Sequence, residues 1–124
     1  MAKAIVGIHS LTAFLDEMRD FARQAEADVR LPEADYQLDF GTARELFSEL
    51  TPARMALLRA LREGGPMSVY ALAKRAGRAY SNVHGDIARL IELELAAKDE
   101  QGRVFVPWDD VIVRVDASLM GEAA

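Results

Sequence analysis

Residues 77–96, GRAYSNVHGDIARLIELELA, form the stretch that decides the fold. Apolar side chains recur every three or four residues, which is the spacing of a helix with one buried side. The predicted inner residues are Tyr80, Val83, Ile87, Leu90 and Ile91. The opposite side carries Ser81, Asn82, Gly85 and Arg89. A solvated helix face usually holds Lys, Glu and Ala, so these small polar groups indicate a face that contacts a partner.

The segments around this helix complete a helix-turn-helix pattern. Before it, Thr51 and Pro52 mark the start of a helix that ends at a glycine pair. A compact helix, VYALAKRAG, then ends at Gly77, and AGRAYS joins it to the next helix. After it, LAAKDEQGRVFVPW predicts a β-hairpin with strands at 96–99 and 103–106. This order is that of a winged helix-turn-helix, so the sequence predicts an α+β fold of this type.

A strand-helix-strand extension is predicted before this domain. Residues 4–8, AIVGI, favour a short strand, and the apolar spacing over 11–28 predicts an amphipathic helix. Pro32 ends that helix, and the alternation in DYQLDFG predicts a second strand with one buried face. A last alternating strand is predicted in DDVIVRVDA. The predicted divisions are an N-terminal extension at 1–41, a winged helix-turn-helix domain at 42–116 and a frayed tail at 117–124.

Composition excludes several classes of protein. No run approaches the roughly 18 apolar residues that span a bilayer. No export signal is recognisable, so we expect a cytoplasmic protein with no membrane partner. The chain has no cysteine, which excludes disulfides and thiolate metal sites. His9 and His84 are the only histidines. Neither stands in a metal-binding or acid–base pattern, so we predict no metal, no cofactor and no enzymatic activity.

Charge is unevenly distributed along the chain, whose formal net charge is −5. Residues 51–95 hold 7 basic and 4 acidic side chains, whereas the flanking segments are both acidic. Salt screens charges beyond about 10 Å, so the local charge counts more than the total for a phosphate contact. The acidic flanks have two interpretations: they face away from DNA and maintain solubility, or they bind a basic partner.

Three motifs cover most of roughly residues 40–116: LTPARMALLRAL, PMSVYALAKRAGRAYSNVHGDIARL and DEQGRVFVP. They resemble a prokaryotic family of winged-helix DNA-binding proteins related to the MarR-like transcriptional regulators. The resemblance implies a DNA-binding fold, and the biological role within such a family ranges from regulator to antitoxin. Two positions depart from the family pattern. Glu94 replaces a usual glycine, which would alter the turn into the wing, and Gly85 often has a basic counterpart, whose absence would weaken phosphate contact.

We predict that the outer face of the helix at 77–96 enters the major groove of double-stranded DNA. The amide of Asn82 can pair with adenine, and the hydroxyl of Ser81 can contact bases or phosphates. Phosphate contacts are expected from the turn, the preceding helix and the hairpin tip. The predicted DNA-binding residues are Lys74, Arg75, Arg78, Ser81, Asn82, His84, Gly85, Arg89 and Arg103.

Several of these side chains also have an ordinary structural interpretation. Ser and Asn near a helix start are commonly caps. Tyr80 is expected in the core with its hydroxyl at the rim, and His84 at the edge of the buried stripe. Arg103 is one exposed arginine on a turn. A solvated helix face is an open interpretation for Arg54 and the favoured one for Arg59 and Arg62.

The predicted function is a sequence-specific DNA-binding transcriptional regulator, acting as a dimeric autorepressor. Helix-turn-helix proteins commonly pair to place two helices about 34 Å apart, and we expect a homodimer formed through the N-terminal helix, the last strand or both. An antitoxin that binds a cognate toxin protein is compatible with this function. The alternative is a winged-helix protein-interaction module that binds a basic partner without binding DNA.

Overall fold

The structure, a computed structural model, describes residues 2–8 and 36–115 and positions 15, 18 and 19. Within the two continuous ranges the fold is mixed α and β, with four helices and two small sheets, in agreement with the predicted α+β class. The elements are β1 (Lys3–Ile8), β2 (Tyr36–Phe40), α1 (Ala43–Glu49), α2 (Pro52–Gly64), α3 (Val69–Ala76), α4 (Tyr80–Glu92), β3 (Ala97–Lys98), β4 (Val104–Phe105) and β5 (Asp110–Arg114).

Local side-chain chemistry explains where the helices begin and end. Thr42, Thr51 and Ser68 precede α1, α2 and α3, and each hydroxyl accepts a hydrogen bond from the backbone N–H three residues later, at 3.1, 3.2 and 3.0 Å. Pro52 occupies the first turn of α2, where a missing N–H costs nothing. Gly77 ends α3 in the left-handed conformation (φ 66°, ψ 33°), so only three residues separate α3 from α4.

The core lies between α2, α3, α4, the hairpin and one face of a parallel sheet. Its fully buried large side chains are Leu46, Leu50, Leu57, Leu61, Leu72, Ile87, Leu90, Leu95, Val6, Val83 and Val104. Met67, between α2 and α3, joins the hairpin to the helices. Its N–H donates to the carbonyl of Val104 at 3.1 Å, and the Val104 N–H donates to the Met67 carbonyl at 2.7 Å.

The parallel sheet has the strand order β2-β1-β5. Ala4 lies opposite Tyr36 on one side and Val111 on the other. Ala4 and Val6 are fully buried, so their face of the sheet packs on the core, and the alternating residues occupy the outer face. The sheet therefore combines two strands of the predicted extension with the final strand of the predicted DNA-binding domain, and the division at residue 41 stays a prediction.

Most of the helix predicted at 11–28 and the tail predicted at 117–124 lie outside the described residues. Positions 15, 18 and 19 are helical, and the side chains of Leu15 and Met18 are about half exposed. In the ranges 2–8 and 36–115, the helices and strands predicted from the sequence are confirmed. Most bounds differ by one or two residues, and the helix predicted within 77–96 spans Tyr80–Glu92. None of the helices in the described part of the chain has the length and apolar character needed to cross a membrane.

Two stacked aromatic rings hold the end of α4. The rings of Tyr36 and Trp108 lie 5.2 Å apart and nearly parallel. The Tyr36 hydroxyl donates to the carbonyl of Leu93 at 2.7 Å, and the Trp108 indole N–H donates to the carbonyl of Glu94 at 2.9 Å. Burial, and then the charge of Glu94, raises the pKa of the Tyr36 hydroxyl. These bonds fix the backbone at the point where the chain turns from α4 into the hairpin.

Glu94 adopts a left-handed backbone conformation with φ 63°. A side chain there costs roughly 1–2 kcal/mol relative to the right-handed conformation, and glycine avoids that cost. We therefore expect Glu94→Gly to raise the free energy of unfolding by about 1 kcal/mol, measured by urea denaturation. Glu94→Ala is the control, because it removes the charge and keeps a Cβ. Equal stabilisation by both variants would show that the charge, not the backbone, carries the effect.

Candidate nucleic-acid interface

The outer face of α4 is small, polar and exposed. Ser81, Asn82 and Gly85 lie on this face, and neither polar side chain hydrogen-bonds to a described residue. The residue that caps α4 is Ala79, which offers no side-chain acceptor, so the interpretation of Ser81 and Asn82 as caps is wrong. A Cβ added at Gly85 would meet no atom within 4 Å, so internal packing does not require glycine there.

Tyr80 does not belong to the core as predicted, because 51% of its surface is exposed. It is the first residue of α4, one turn before the buried Val83, and the apolar spacing alone does not tell where the core ends. His84 is exposed rather than at the edge of the buried stripe, and its ring lies 5.8 Å from that of Tyr80 in a tilted arrangement. Together the two rings add an aromatic border to the face that carries Ser81.

Arginine and carboxylate side chains alternate in a hydrogen-bonded series that connects α4 to α1 and α2. Asp86 accepts hydrogen bonds from Arg78 at 2.8 Å and from Arg54 Nε at 3.1 Å. Glu49 accepts from Arg89 Nε at 2.6 Å, and Arg54 Nη1 donates to the Glu49 backbone carbonyl at 2.7 Å. This arginine–carboxylate chain joins the end of α1, the start of α2, the turn before α4 and α4 itself. The sequence left the role of Arg54 open, and no local pattern indicated these bonds.

The arginine–carboxylate chain shifts the pKa values of its members. Hydrogen bonding from Arg89 holds the pKa of Glu49 below its ordinary value, and the same bond raises the pKa of Arg89. Partial burial raises the pKa of Asp86, but hydrogen bonds from Arg78 and Arg54 outweigh it, and the pKa is lowered overall. Both carboxylates are therefore charged at neutral pH, and the arginines that face them are paired.

The residues predicted to contact phosphate differ in whether a carboxylate already pairs with their positive charge. Lys74 on α3 is exposed and forms no ion pair with the residues that the structure describes. Arg75 lies 3.8 Å from Glu63 with both side chains about half exposed, which is a weak interaction. Arg78 and Arg89 are both held by carboxylates, and Arg89 also contacts Glu92 at 2.8 Å. Of these cations, Lys74 is the one most available to a phosphate.

The hairpin tip is organised by Asp99. Its carboxylate accepts hydrogen bonds from the backbone N–H groups of Gln101 and Arg103 at 3.0 and 2.9 Å, and from Arg103 Nε at 2.8 Å. Burial raises the pKa of Asp99, but these bonds from Arg103 outweigh it and lower the pKa overall. Arg103 is about half exposed, so it reaches solvent while its charge is engaged.

The Asp, Glu and His side chains of the described residues form no group of three that could hold a metal ion. A family model with the description HVO_A0114 matches residues 49–113. The chain belongs to this family. The match begins at Glu49 of the arginine–carboxylate chain and ends in β5, so it includes α2, α3, α4 and the hairpin. No curated protein and no solved structure matches the chain.

The arginine–carboxylate chain predicts an acid-sensitive stability. A carboxyl group with a lower pKa in the folded state stabilises the fold above its unfolded pKa, and this contribution is lost as the pH falls through the folded pKa. We expect Asp86→Asn to lower the free energy of unfolding by about 1–2 kcal/mol at pH 7. Because the variant lacks one such carboxyl, its stability should fall less steeply between roughly pH 5 and pH 2.

Urea unfolding across this pH range measures both effects. Asp109→Asn is the matched control, because Asp109 is exposed and lies outside the arginine–carboxylate chain. Identical acid limbs for Asp86→Asn and wild type would contradict the stabilising role assigned to Asp86.

Proposed function

We propose that the protein is a sequence-specific, double-stranded DNA-binding transcriptional regulator whose α4 is the recognition helix of a winged helix-turn-helix. The observation that carries the proposal is the outer face of α4, where Ser81, Asn82 and Gly85 are exposed and have no structural use within the described chain. The three-residue connection from α3 to α4 and the antiparallel hairpin after α4 support this assignment. So does the bridge from Met67 to the hairpin.

The chemistry of the α4 face fits the major groove. An amide such as that of Asn82 forms a bidentate pair with adenine N6 and N7, which distinguishes adenine from the other bases. Ser81 offers a hydroxyl to a neighbouring base or phosphate. Gly85 leaves room for the groove wall, and the rings of Tyr80 and His84 provide apolar surface for a thymine methyl group. Base contacts therefore come from uncharged groups.

Phosphate contacts would come mainly from α3. Lys74 and Arg75 lie in the last turn of this helix, and in helix-turn-helix proteins the first helix of the motif crosses the DNA backbone. Arg78 and Arg89 have a different role in this proposal. Their carboxylate partners hold them against the protein, so they orient α4 rather than supply full charges to DNA. Arg103 supplies a partly neutralised contact from the wing.

A homodimeric autorepressor fits the expected geometry, because two recognition helices in successive major grooves bind a two-fold site. One observation favours the alternative of a protein-interaction module. Arg75, Arg78, Arg89 and Arg103 all face carboxylates, so few cations are left for phosphate. Binding that shows no sequence preference and little dependence on salt would support this alternative, since DNA binding weakens steeply as salt rises. Antitoxin activity stays compatible with either function.

The proposal predicts that Asn82→Ala loses base recognition. Selection from a random duplex pool should yield a preferred site, and Asn82→Ala should weaken binding to it by about 1–3 kcal/mol, or roughly 5- to 150-fold. Fluorescence anisotropy measures the dissociation constants of wild type and of Asn82→Ala for this site. Gln37→Ala is the matched control, because it truncates an exposed amide on the parallel sheet and should leave the affinity unchanged. Failure to enrich any sequence would contradict the proposed function.

Lys74→Ala should behave differently from Asn82→Ala. A lost phosphate contact weakens binding to specific and random duplexes alike and reduces the slope of log Kd against log salt by about 1. The slope for Asn82→Ala should equal that of wild type. A Lys74→Ala variant with an unchanged slope would show that α3 does not contact the DNA backbone.

A further inference from the structure

The strand β5 forms an edge of the parallel sheet. It pairs with β1 on one side, and no described strand pairs with the other side. An edge strand presents unpaired N–H and C=O groups, which natural proteins usually block, cover or use for pairing. Val113 and Val115 at this edge are 37% and 36% exposed. The edge therefore combines unpaired backbone groups with two exposed valine side chains.

The sequence of β5, DVIVR, has opposite charges at its two ends. Asp110 and Arg114 are both exposed, and neither forms an ion pair with the residues that the structure describes. The Asp110 carboxylate accepts one hydrogen bond, from the N–H of Val111 at 2.8 Å. The two charged residues are about 13 Å apart along the strand, which is too far for them to pair within one chain.

We propose that β5 pairs in antiparallel orientation with β5 of a second copy of this chain, with Ile112 on the two-fold axis. In this register Asp110 lies opposite the partner's Arg114, and Val111 lies opposite the partner's Val113. Each charge then faces one opposite charge, so the dimer contains two such pairs, and opposite charges directly across an antiparallel pair are stabilising. The proposal deepens the dimeric part of the proposed function and rests on that part, not on DNA binding.

Other registers of the β5–β5 pair place fewer opposite charges across from each other. The two-fold axis must be perpendicular to the sheet for the strands to run antiparallel. It therefore passes midway between one residue and the same residue of the second copy. Centring on Val111 places Asp110 opposite the partner's Ile112. Centring on Val113 instead places Ile112 opposite the partner's Arg114. Both leave a charge facing an apolar side chain, whereas the Ile112 register matches charge with charge and apolar with apolar.

The core face of β5 offers apolar surface to the second copy. A cavity of about 510 Å³ opens beside β5, and its apolar lining includes Leu50, Met55, Leu58, Val106, Val111 and Val113. The proposed register brings the partner's Val111 and Val113 next to these valines, on the face where the cavity lies. Burial of this surface would add to the strand hydrogen bonds.

The symmetry also fits a dimer that binds one duplex. A two-fold axis perpendicular to the sheet keeps the core face of both copies on the same side of the joined six-stranded sheet. Because the helices pack on that face, both copies of α4 lie on one side of the dimer. Helix-turn-helix dimers need this arrangement for two recognition helices to reach the same DNA.

Charge reversal tests the register without DNA. Arg114→Asp places aspartates opposite each other, and Asp110→Arg places arginines opposite each other, so each variant should raise the dimer Kd at least about tenfold. The double variant D110R/R114D restores opposite charges and should return the Kd to near wild type. An equimolar mixture of the two single variants should form a heterodimer, which also shows that both are folded. Arg44→Asp, the same charge change on α1, is the control.

Sedimentation velocity over a range of protein concentrations measures these constants. A monomeric wild type, or single variants that dimerise like wild type, would overturn the proposal. So would single variants that remain monomeric when mixed. If Leu15→Glu/Met18→Glu abolishes the dimer while both charge reversals leave the Kd unchanged, the N-terminal helix is the interface instead. DNA binding by a monomer would agree with the proposed recognition helix and contradict only this interface.

A single introduced cysteine locates the axis. The natural chain has none. Residues on the axis of an antiparallel pair have Cα atoms roughly 4.5–5.5 Å apart, within the roughly 4.4–6.8 Å of disulfides. Ile112→Cys should therefore form an intermolecular disulfide on mild oxidation. Val115→Cys, three residues from the axis, should not. Cross-linking of the second variant alone would overturn the register.

Discussion

The position of α4 depends on the guanidinium of Arg54. This side chain leaves the first turn of α2, donates to Asp86 on α4 and also donates to the backbone carbonyl at the end of α1. The buried side of α4 consists of Val83, Ile87 and Leu90, which provide non-directional packing. Hydrogen bonds are directional, so the arginine–carboxylate chain fixes the rotation of α4 about its axis. This rotation determines which residues of α4 face solvent.

Neutral groups also hold the backbone at the C-terminal end of α4. Tyr36 from β2 and Trp108 before β5 bond the carbonyls of Leu93 and Glu94, so the parallel sheet determines where the helix stops. The left-handed backbone of Glu94 is held between these bonds. These hydrogen bonds connect the sheet to the end of α4, so a strand near the N-terminus contributes to the placement of a face about 45 residues later.

The sequence predicted what local chemistry determines and missed what distant contacts determine. Caps at Thr51 and the glycine turn at Gly77 depend on neighbouring residues, so α2, α3 and α4 were predictable. The pairs Arg54–Asp86 and Arg89–Glu49 join residues 32 and 40 positions apart, and no local pattern indicates them. Arg78 and Arg89 therefore looked like free cations. Tyr80 was wrongly assigned to the core because helical spacing does not show how far a core extends.

In the proposed complex with DNA, the outer face of α4 enters the major groove. Backbone amide chemical shifts of ¹⁵N-labelled protein, recorded while a selected duplex is added, test it most directly. We expect the largest shifts at Ser81, Asn82 and Gly85, with smaller ones near Lys74 and none beyond background at Gln37. Shifts confined to the parallel sheet or the acidic flanks, with α4 unchanged, would contradict it.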